Sequence, residues 1–406
     1  MLYQLALRNI WRNRRRTLLT LSAMVVSSAL LILALGIFSG MLRDMLASAT
    51  EQYYGHLIIS AKGYQDDRDM FRNFPMDKAT GKVLDQDEIL GSSPRLRSFG
   101  LLSHLQNSSP AEILGVLPSR EQTVTSLQDS LIDGSYLAAE DLNGAVLGSG
   151  LAQRLEVAPG DQLVFVTQAA DGSIGNDLLQ VKGVFSTGDV GHDNTLIIVP
   201  LVWLQQVLVL PGQLHEIAVR TDDPLNAAAL VERYRPDLPE TLEILDWGEL
   251  LPEMREVVAS YDVSRMIIVI ILYIATGLGI LNTFFMAVME RTRELGVLMA
   301  LGMRPGQIRI MILLETIIMA SLGLICGVVL GIAMSLYMAF VGVDLSGTLS
   351  PITYAGGTIL PRLHAVIEPG NILIPSLCLL IVSLLAGFFP ANRAAKMQPV
   401  VAIREE

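Results

Sequence analysis

Cysteine is nearly absent: the 406 residues contain two, Cys326 and Cys378, both inside apolar runs. That excludes a disulfide framework. Histidine is almost as scarce, with His56, His104, His192, His215 and His364 scattered along the chain. His192-Asp193 near Asp189 resembles half of a metal site, but no second His or Cys joins it in sequence. No Ser/His/Asp spacing marks a nucleophile. The phosphate cradle G-x-x-x-x-G-K-[ST] is missing; Gly148-Ser-Gly150 lacks the lysine and reads as a strand-to-helix turn. These absences count against an enzyme site and against an ATPase within these residues, so no cofactor is expected on this chain. Nucleic acid is not expected as a partner, although the net charge of −11 is itself no clue to that, since it comes from the acidic segment at 41–262.

Long apolar runs are what the sequence has instead. Residues 17–38, 266–289 and 371–392 carry no charge, and 311–343 is broken only by Glu315. Each is long enough to cross a hydrocarbon layer of about 30 Å. The first run has too long an apolar part for a cleaved leader, and no small-x-small site follows at 40–46, so it reads as a retained anchor. Basic residues set the orientation. Arg8, Arg12, Arg14, Arg15 and Arg16 precede span one. Arg291, Arg293, Arg304 and Arg309 lie between spans two and three, and Arg393, Lys396 and Arg404 follow span four. Residues 41–262 hold 15 Lys/Arg against 33 Asp/Glu. Both termini are therefore expected in the cytoplasm, with the large acidic segment outside.

The expected division is an amphipathic helix at 1–16, or a simple polybasic stop; spans at 17–40, 264–289, 310–341 and 369–392; an extracytoplasmic domain with stalk helices at 41–263; a coupling helix at 290–309; an outer loop at 342–368; and a tail at 393–406. In the outer domain, strands are expected at 56–60, 145–148, 162–167, 178–185, 194–199, 215–220 and 242–245. Helices are expected at 149–155, 201–209 and 224–234, the last with Asn226 as its cap. Residues 61–90 and 169–176 read as loops. The fold class is thus four transmembrane helices plus an α+β domain.

The segment 290–309, E-R-T-R-E-L-G-V-L-M-A-L-G-M-R-P-G-Q-I-R, is a short helix between two spans that breaks at Gly302 and Pro305-Gly306. Its apolar knobs suit a cleft in a partner, while Arg291, Arg293 and Glu294 set register. Gly323, Gly327 and Gly331 recur every four residues in span three, a ridge for close helix packing or, alternatively, a substrate groove. Glu315, near the cytoplasmic end of span three, is either a functional charge within the membrane or one that merely reaches the interface or pairs with Arg309.

This segment resembles the coupling-helix signature of FtsX-like, MacB-like ABC transporter permeases of the LolC/LolE type without a fused ATPase. The opening L-A-L-R-N-I-W-R-N-R-R-R-T, the stretch V-L-G-S-G-L-A-Q-R-L with P-G-D at 159–161, and the ending F-P-A-N-R-A-A-K-M-Q-P are similar to the same family. The resemblance implies that Glu290, Arg291, Arg293, Glu294, Leu295, Gly296, Leu298, Leu301 and Gly302 dock on a separate ATPase subunit that carries ATP and Mg. Met299 stands where the family often has Arg. The resemblance also implies two ATPases, a second permease subunit (identical or a paralogue), and movement of the outer domain rather than a path through the bilayer. A lipid-linked or hydrophobic cargo such as a lipoprotein would follow, with a periplasmic carrier as partner; the 167–178 region lacks the proline-centred apolar hook of the lipoprotein-releasing type. The alternative is a relay that activates a periplasmic partner, as in FtsX proper.

Overall fold

The computed structural model describes residues 14–345, 347–348, 352–354, 357–359 and 362–398. The amphipathic segment expected at 1–16 lies outside the described residues except for its last three. The chain divides into two compact units. One comprises Met1–Leu42, Ala259–Gly347 and Arg362–Glu406, and the other Arg43–Val258 with Thr348–Pro361.

In chain order, helix α1 (Arg14–Ala49) closes in a π-turn, Thr50–Tyr54. Then come β1 (Leu57–Ala61), β2 (Ile89–His104), β3 (Asn107–Val116), α2 (Pro118–Val124), β4 (Leu131–Gly134), β5 (Gly144–Gly148) and α3 (Ser149–Leu155). After these lie β6 (Gln162–Gln168), β7 (Ile174–Phe185), α4 (Val190–Thr195), β8 (Leu196–Pro200), α5 (Leu201–Val207), β9 (Glu216–Thr221), α6 (Ala227–Tyr234) and β10 (Leu242–Asp246). Helices α7 (Pro252–Glu290), α8 (Thr292–Ala300), α9 (Pro305–Phe340) and α10 (Pro369–Ala395) complete the described chain.

The ten strands form one mixed sheet in the order β10-β1-β9-β2-β3-β8-β5-β7-β4. Strand β6 pairs with both β2 and β7, so six strands close on themselves around a core that includes Leu102, Ile113, Leu147, Phe165, Leu179 and Ile197. β8 is apolar on both faces and fully buried, as a strand in a sheet interior should be, and it runs parallel to β3. β6 alternates, with Leu163 and Phe165 inward and Gln162, Val164, Val166 and Gln168 outward.

The sequence reading misses the long β2–β3 hairpin. Its R-L-R-S and N-S-S-P stretches are too polar to signal a buried strand; tertiary ion pairs, described below, make burial tolerable. Residues 61–90 are also more ordered than a loop. Lys78–Leu84 is helical because the Asp77 carboxylate accepts from Thr80 N at 2.7 Å. Asn226 does not cap its helix. Asp223 does, accepting from Leu225 N at 2.9 Å over the 3-10 turn Pro224–Asn226. β7 begins at Ile174, which shortens the expected 169–176 loop to a turn closed by Ala169 N donating to Ser173 O.

Among the described residues four helices are long and apolar enough to cross a membrane, with mean hydropathy between 2.2 and 2.6. Within their unit the glycine ridge meets α1. A Cβ at Gly323, Gly327 or Gly331 would lie 2.8, 2.7 or 3.0 Å from the Cβ of Met24, Ser28 or Ile32. In lipid, where apolar burial gives no advantage, such close approach is what holds helices together. Tyr273 of α7 adds a bond to α10, its hydroxyl donating to Pro375 O at 2.6 Å.

Candidate functional site

The connection between α7 and α9 is built for a fixed shape. α8 ends in a left-handed glycine, Gly302, at φ +97°. Gly302 N donates to Met299 O and Met303 N to Leu298 O, both at 3.0 Å, which satisfies carbonyls that the helix end leaves open. Pro305 then starts α9 at a position that needs no N–H.

α8 has two faces. Leu295 is 2% exposed and packs with Val288, Ile308, Met311, Ile312 and Ala391 of its own unit. Gly296 and Thr292 are buried beside it, and Leu298 and Met299 are half-buried against the same cluster. Arg293, Val297, Ala300, Leu301 and Gly302 face outward, Leu301 at 80% exposure. The structure therefore separates the expected docking residues. Leu295 and Gly296 serve internal packing, Leu298 lies between, and Arg293, Leu301 and Gly302 remain available, with Glu290 exposed at the end of α7. Val297 joins the outward stripe one turn from Arg293 and Leu301; the expectation omitted it. Met299 suits its place because its side chain lies against apolar neighbours.

Glu315 does not take Arg309 as its ion-pair partner. Arg291 Nη1 donates to both carboxylate oxygens, at 3.3 and 3.2 Å. Arg291 Nε also lies 3.5 Å from Glu294. This pair ties the start of α8 to α9. Elsewhere in the same unit, an apolar groove of about 370 Å³ runs between α7 and α10, lined by Tyr273, Gly277, Leu281, Val382, Ala386 and Phe389 among others.

The other unit holds a buried charge cluster that single-residue reading did not find. Arg95 and Arg97 stand two apart on β2, hence on one face, and both are buried. Arg95 bonds Glu121 of α2 through Nε at 3.1 Å and Nη2 at 2.5 Å, and donates to Tyr53 O at 2.6 Å. Arg97 bonds Glu216 of β9 at 2.7 Å and Glu112 of β3 at 2.7 Å. Arg68 reaches Glu112 at 3.2 Å. Burial alone would raise the Glu216 carboxyl, but Arg97, Arg95 and Arg68 hold it down at about 2. The one legible signal was the R-x-R spacing.

His192, which with Asp193 and Asp189 resembles half of a metal site in sequence, has structural neighbours. His192 stacks on Tyr53 with ring centres 4.1 Å apart. Asp189 caps α4, and Asp193 accepts from Ser186, Thr187 and Gly188. Among the described residues no group of three or more His, Cys, Asp or Glu could hold a metal. Gly148 is a strand-to-helix turn, where a Cβ would lie 2.4 Å from Asp193 O.

Family models match both parts of the chain. That of the MacB-like periplasmic core domain matches residues 17–236, and that of the FtsX-like permease C-terminal region matches 266–399. The chain belongs to the FtsX-like permeases that carry a MacB-like core domain. It is thus a multi-pass membrane protein of the ABC transporter permease type. It is 25% identical over 424 residues to the pyoverdine export ATP-binding/permease protein PvdT of Pseudomonas syringae pv. tomato, covering 99% of this chain and 59% of that protein. It is 25% identical over 324 residues to the lipoprotein-releasing system transmembrane protein LolE of Haemophilus influenzae, covering 77% of this chain and 76% of that one. The periplasmic region of MacB from Actinobacillus actinomycetemcomitans aligns at a TM-score of 0.36 and 17% identity, over 50% of this chain and 92% of that chain. The permease spans about three fifths of the length of the pyoverdine- and macrolide-export relatives it matches.

Proposed function

We propose that this permease couples ATP hydrolysis on a partner ATPase to movement of its periplasmic domain, and so extracts or exports a lipid-linked or hydrophobic cargo at the outer face of the inner membrane. The reading rests chiefly on α8, a nine-residue helix whose inner face is packed into its own unit while Arg293, Val297, Ala300 and Leu301 stand outward. A helix fixed on one side and offering an apolar stripe with a cation on the other suits a groove in a partner. The Arg291–Glu315 pair would carry a push on α8 into α9. An apolar cargo is supported by the groove between α7 and α10, which suits an acyl chain, and by the likeness to both export and lipoprotein-releasing permeases. Both termini and α8 would lie in the cytoplasm. Two ATPases and a second permease subunit would complete the assembly.

The test is capture of an ATP-binding-cassette ATPase by the tagged chain in detergent. Val297→Asp/Leu301→Asp should lose the ATPase while the permease remains folded. If the wild-type chain captures no such ATPase, or the double variant captures as much as the wild type, the docking role of α8 is wrong.

A further inference from the structure

The sheet of the outer domain carries an apolar face that no part of the described chain covers. Phe99 and Leu101 of β2, Val164 and Val166 of β6, and Ile174 and Leu178 of β7 all point outward, with exposures from 36% at Val166 to 75% at Ile174. The register makes them neighbours. Leu101 stands opposite Val166, and Val164 opposite Leu178. On the other side, Phe99 and Leu101 stand opposite Glu112 and Pro110 of β3. Leu102, Phe165 and Leu179, which alternate with these positions, fill the core instead.

Charge sets this face apart. Residues 41–262 hold 15 Lys/Arg against 33 Asp/Glu, so the domain as a whole repels another acidic body. Over 99–103, 108–112, 162–168 and 174–180, the outward positions other than these six are Ser, Pro, Gln and Asn, apart from Glu112. Glu112 is held by Arg97 at 2.7 Å and Arg68 at 3.2 Å and presents no free charge. A basic partner would settle on the acidic faces. A partner with the same acidic excess approaches best where neither side presents charge.

We propose that this face pairs, across a two-fold axis, with the same face on a second copy of the chain. The pairing deepens the two-permease assembly proposed above and rests on it. A two-fold axis sets one self-complementary patch against itself, and two sheets can stack about 10 Å apart through such side chains. Four strands about 4.8 Å apart and roughly 20 Å of strand length give about 400 Å² on each partner. That is half of the about 800 Å² per partner of a standard stable interface. Alone, the contact is too small to hold two proteins together. Two domains anchored in one bilayer meet at an effective concentration of about millimolar, where a weak contact both forms and breaks. Such a contact suits a domain that moves in each cycle.

The experiment uses the full chain in membranes of the cells that express it. Leu101→Cys, Val164→Cys and Val166→Cys each place one thiol on the face. The wild type, whose Cys326 and Cys378 lie in α9 and α10, is one control. Leu225→Cys, on the 3-10 turn before α6, is the other. Under mild oxidation at least one face variant should give about tenfold more covalent dimer than either control, and mass spectrometry should find two copies of this chain in it. Adding Phe99→Asp should abolish the excess, because it sets like charges against each other. No excess in any of the three variants, an excess that survives Phe99→Asp, or a cross-link to a different polypeptide would overturn the pairing. ATPase capture is measured on the same membranes. Capture without the cross-link shows that the pairing alone is wrong, and the cross-link without capture that the coupling role of α8 alone is wrong.

Discussion

The guanidinium carbon of Arg97 lies 4.5 Å from the centre of the Tyr53 ring, and Arg97 also bonds the hydroxyl of that ring. Tyr53 is the fourth residue of the π-turn that ends the first helix, and its hydroxyl in turn donates to Glu112. The turn is thus fixed by both ends of one side chain and, through Arg95, by its own carbonyl. The two contacts differ in what their loss exposes. Tyr53→Phe removes a hydroxyl but leaves Arg97 bonded directly to Glu112 and Glu216, so it should cost about 1 kcal/mol. Arg97→Met removes the nearest cation from Glu216, whose side chain is fully buried and keeps only Gln65 at 2.9 Å and Arg95 at 3.7 Å, and should cost about 3 kcal/mol. Denaturant unfolding of the full chain, followed by tryptophan fluorescence from Trp203 and Trp247, separates the two.

Acid should weaken the same unit in two stages. Burial, with the charge of Arg220 adding to it, pushes His56 down to about 4. Glu216 is held at about 2. Both folded values lie below the unfolded ones, so the folded chain binds fewer protons and stability falls as pH falls. His56 contributes its loss between about 6.5 and 4, and Glu216 between about 4.3 and 2. Glu216→Gln should be less stable at neutral pH but should lose less on acidification below 4. A parallel pH profile in wild type and variant would show that Glu216 is not the group responsible.

How much of this was legible follows from what each element depends on. The spans announce themselves because lipid requires about 20 apolar residues in a row, and no partner in sequence is needed to see that. Residues 149–155 read as a helix and 162–167 as a strand because their periodicities are local. β2 and β3 are not local. Arg95 and Arg97 become interior residues only when Glu121, Glu112 and Glu216 arrive from elsewhere in the chain. The faces of α8 were hidden for a similar reason. Leu295 and Leu301 are both leucines on a short helix, and only the arrival of Ile308, Met311 and Ala391 decides which is covered.

Gly327 sits where a Cβ would come 2.7 Å from the Cβ of Ser28 and 3.1 Å from Val25 O. Both α1 and α9 must part to admit even a methyl group. Gly327→Ala should therefore lower stability by about 1–3 kcal/mol despite the better helix propensity of alanine. Ser28→Gly, which removes one of the clashing atoms, should restore part of that loss when combined with it. The measurement is thermal aggregation of the full chain in detergent. A Gly327→Ala variant that melts with the wild type would mean the ridge is looser than these distances require.

Arg291 and Glu315 make the most direct test of how α8 is held. Their side chains are 18% and 11% exposed, so the pair is largely out of water. Glu315→Met should leave Arg291 with only the longer contact to Glu294 and cost about 2–3 kcal/mol, whereas Arg291→Met/Glu315→Met removes both charges and should recover part of it. Folding and coupling then come apart. The doubly apolar variant should be stable, because Val288, Leu295 and Ile312 offer apolar neighbours to α8. It should nevertheless show weaker stimulation of the ATPase by cargo if the ion pair fixes the angle of α8, since apolar contacts hold position less strictly than a two-pronged bond. Full stimulation in the stable double variant would assign the pair to folding alone and leave the rigidity of α8 to the Gly302 turn and the apolar cluster.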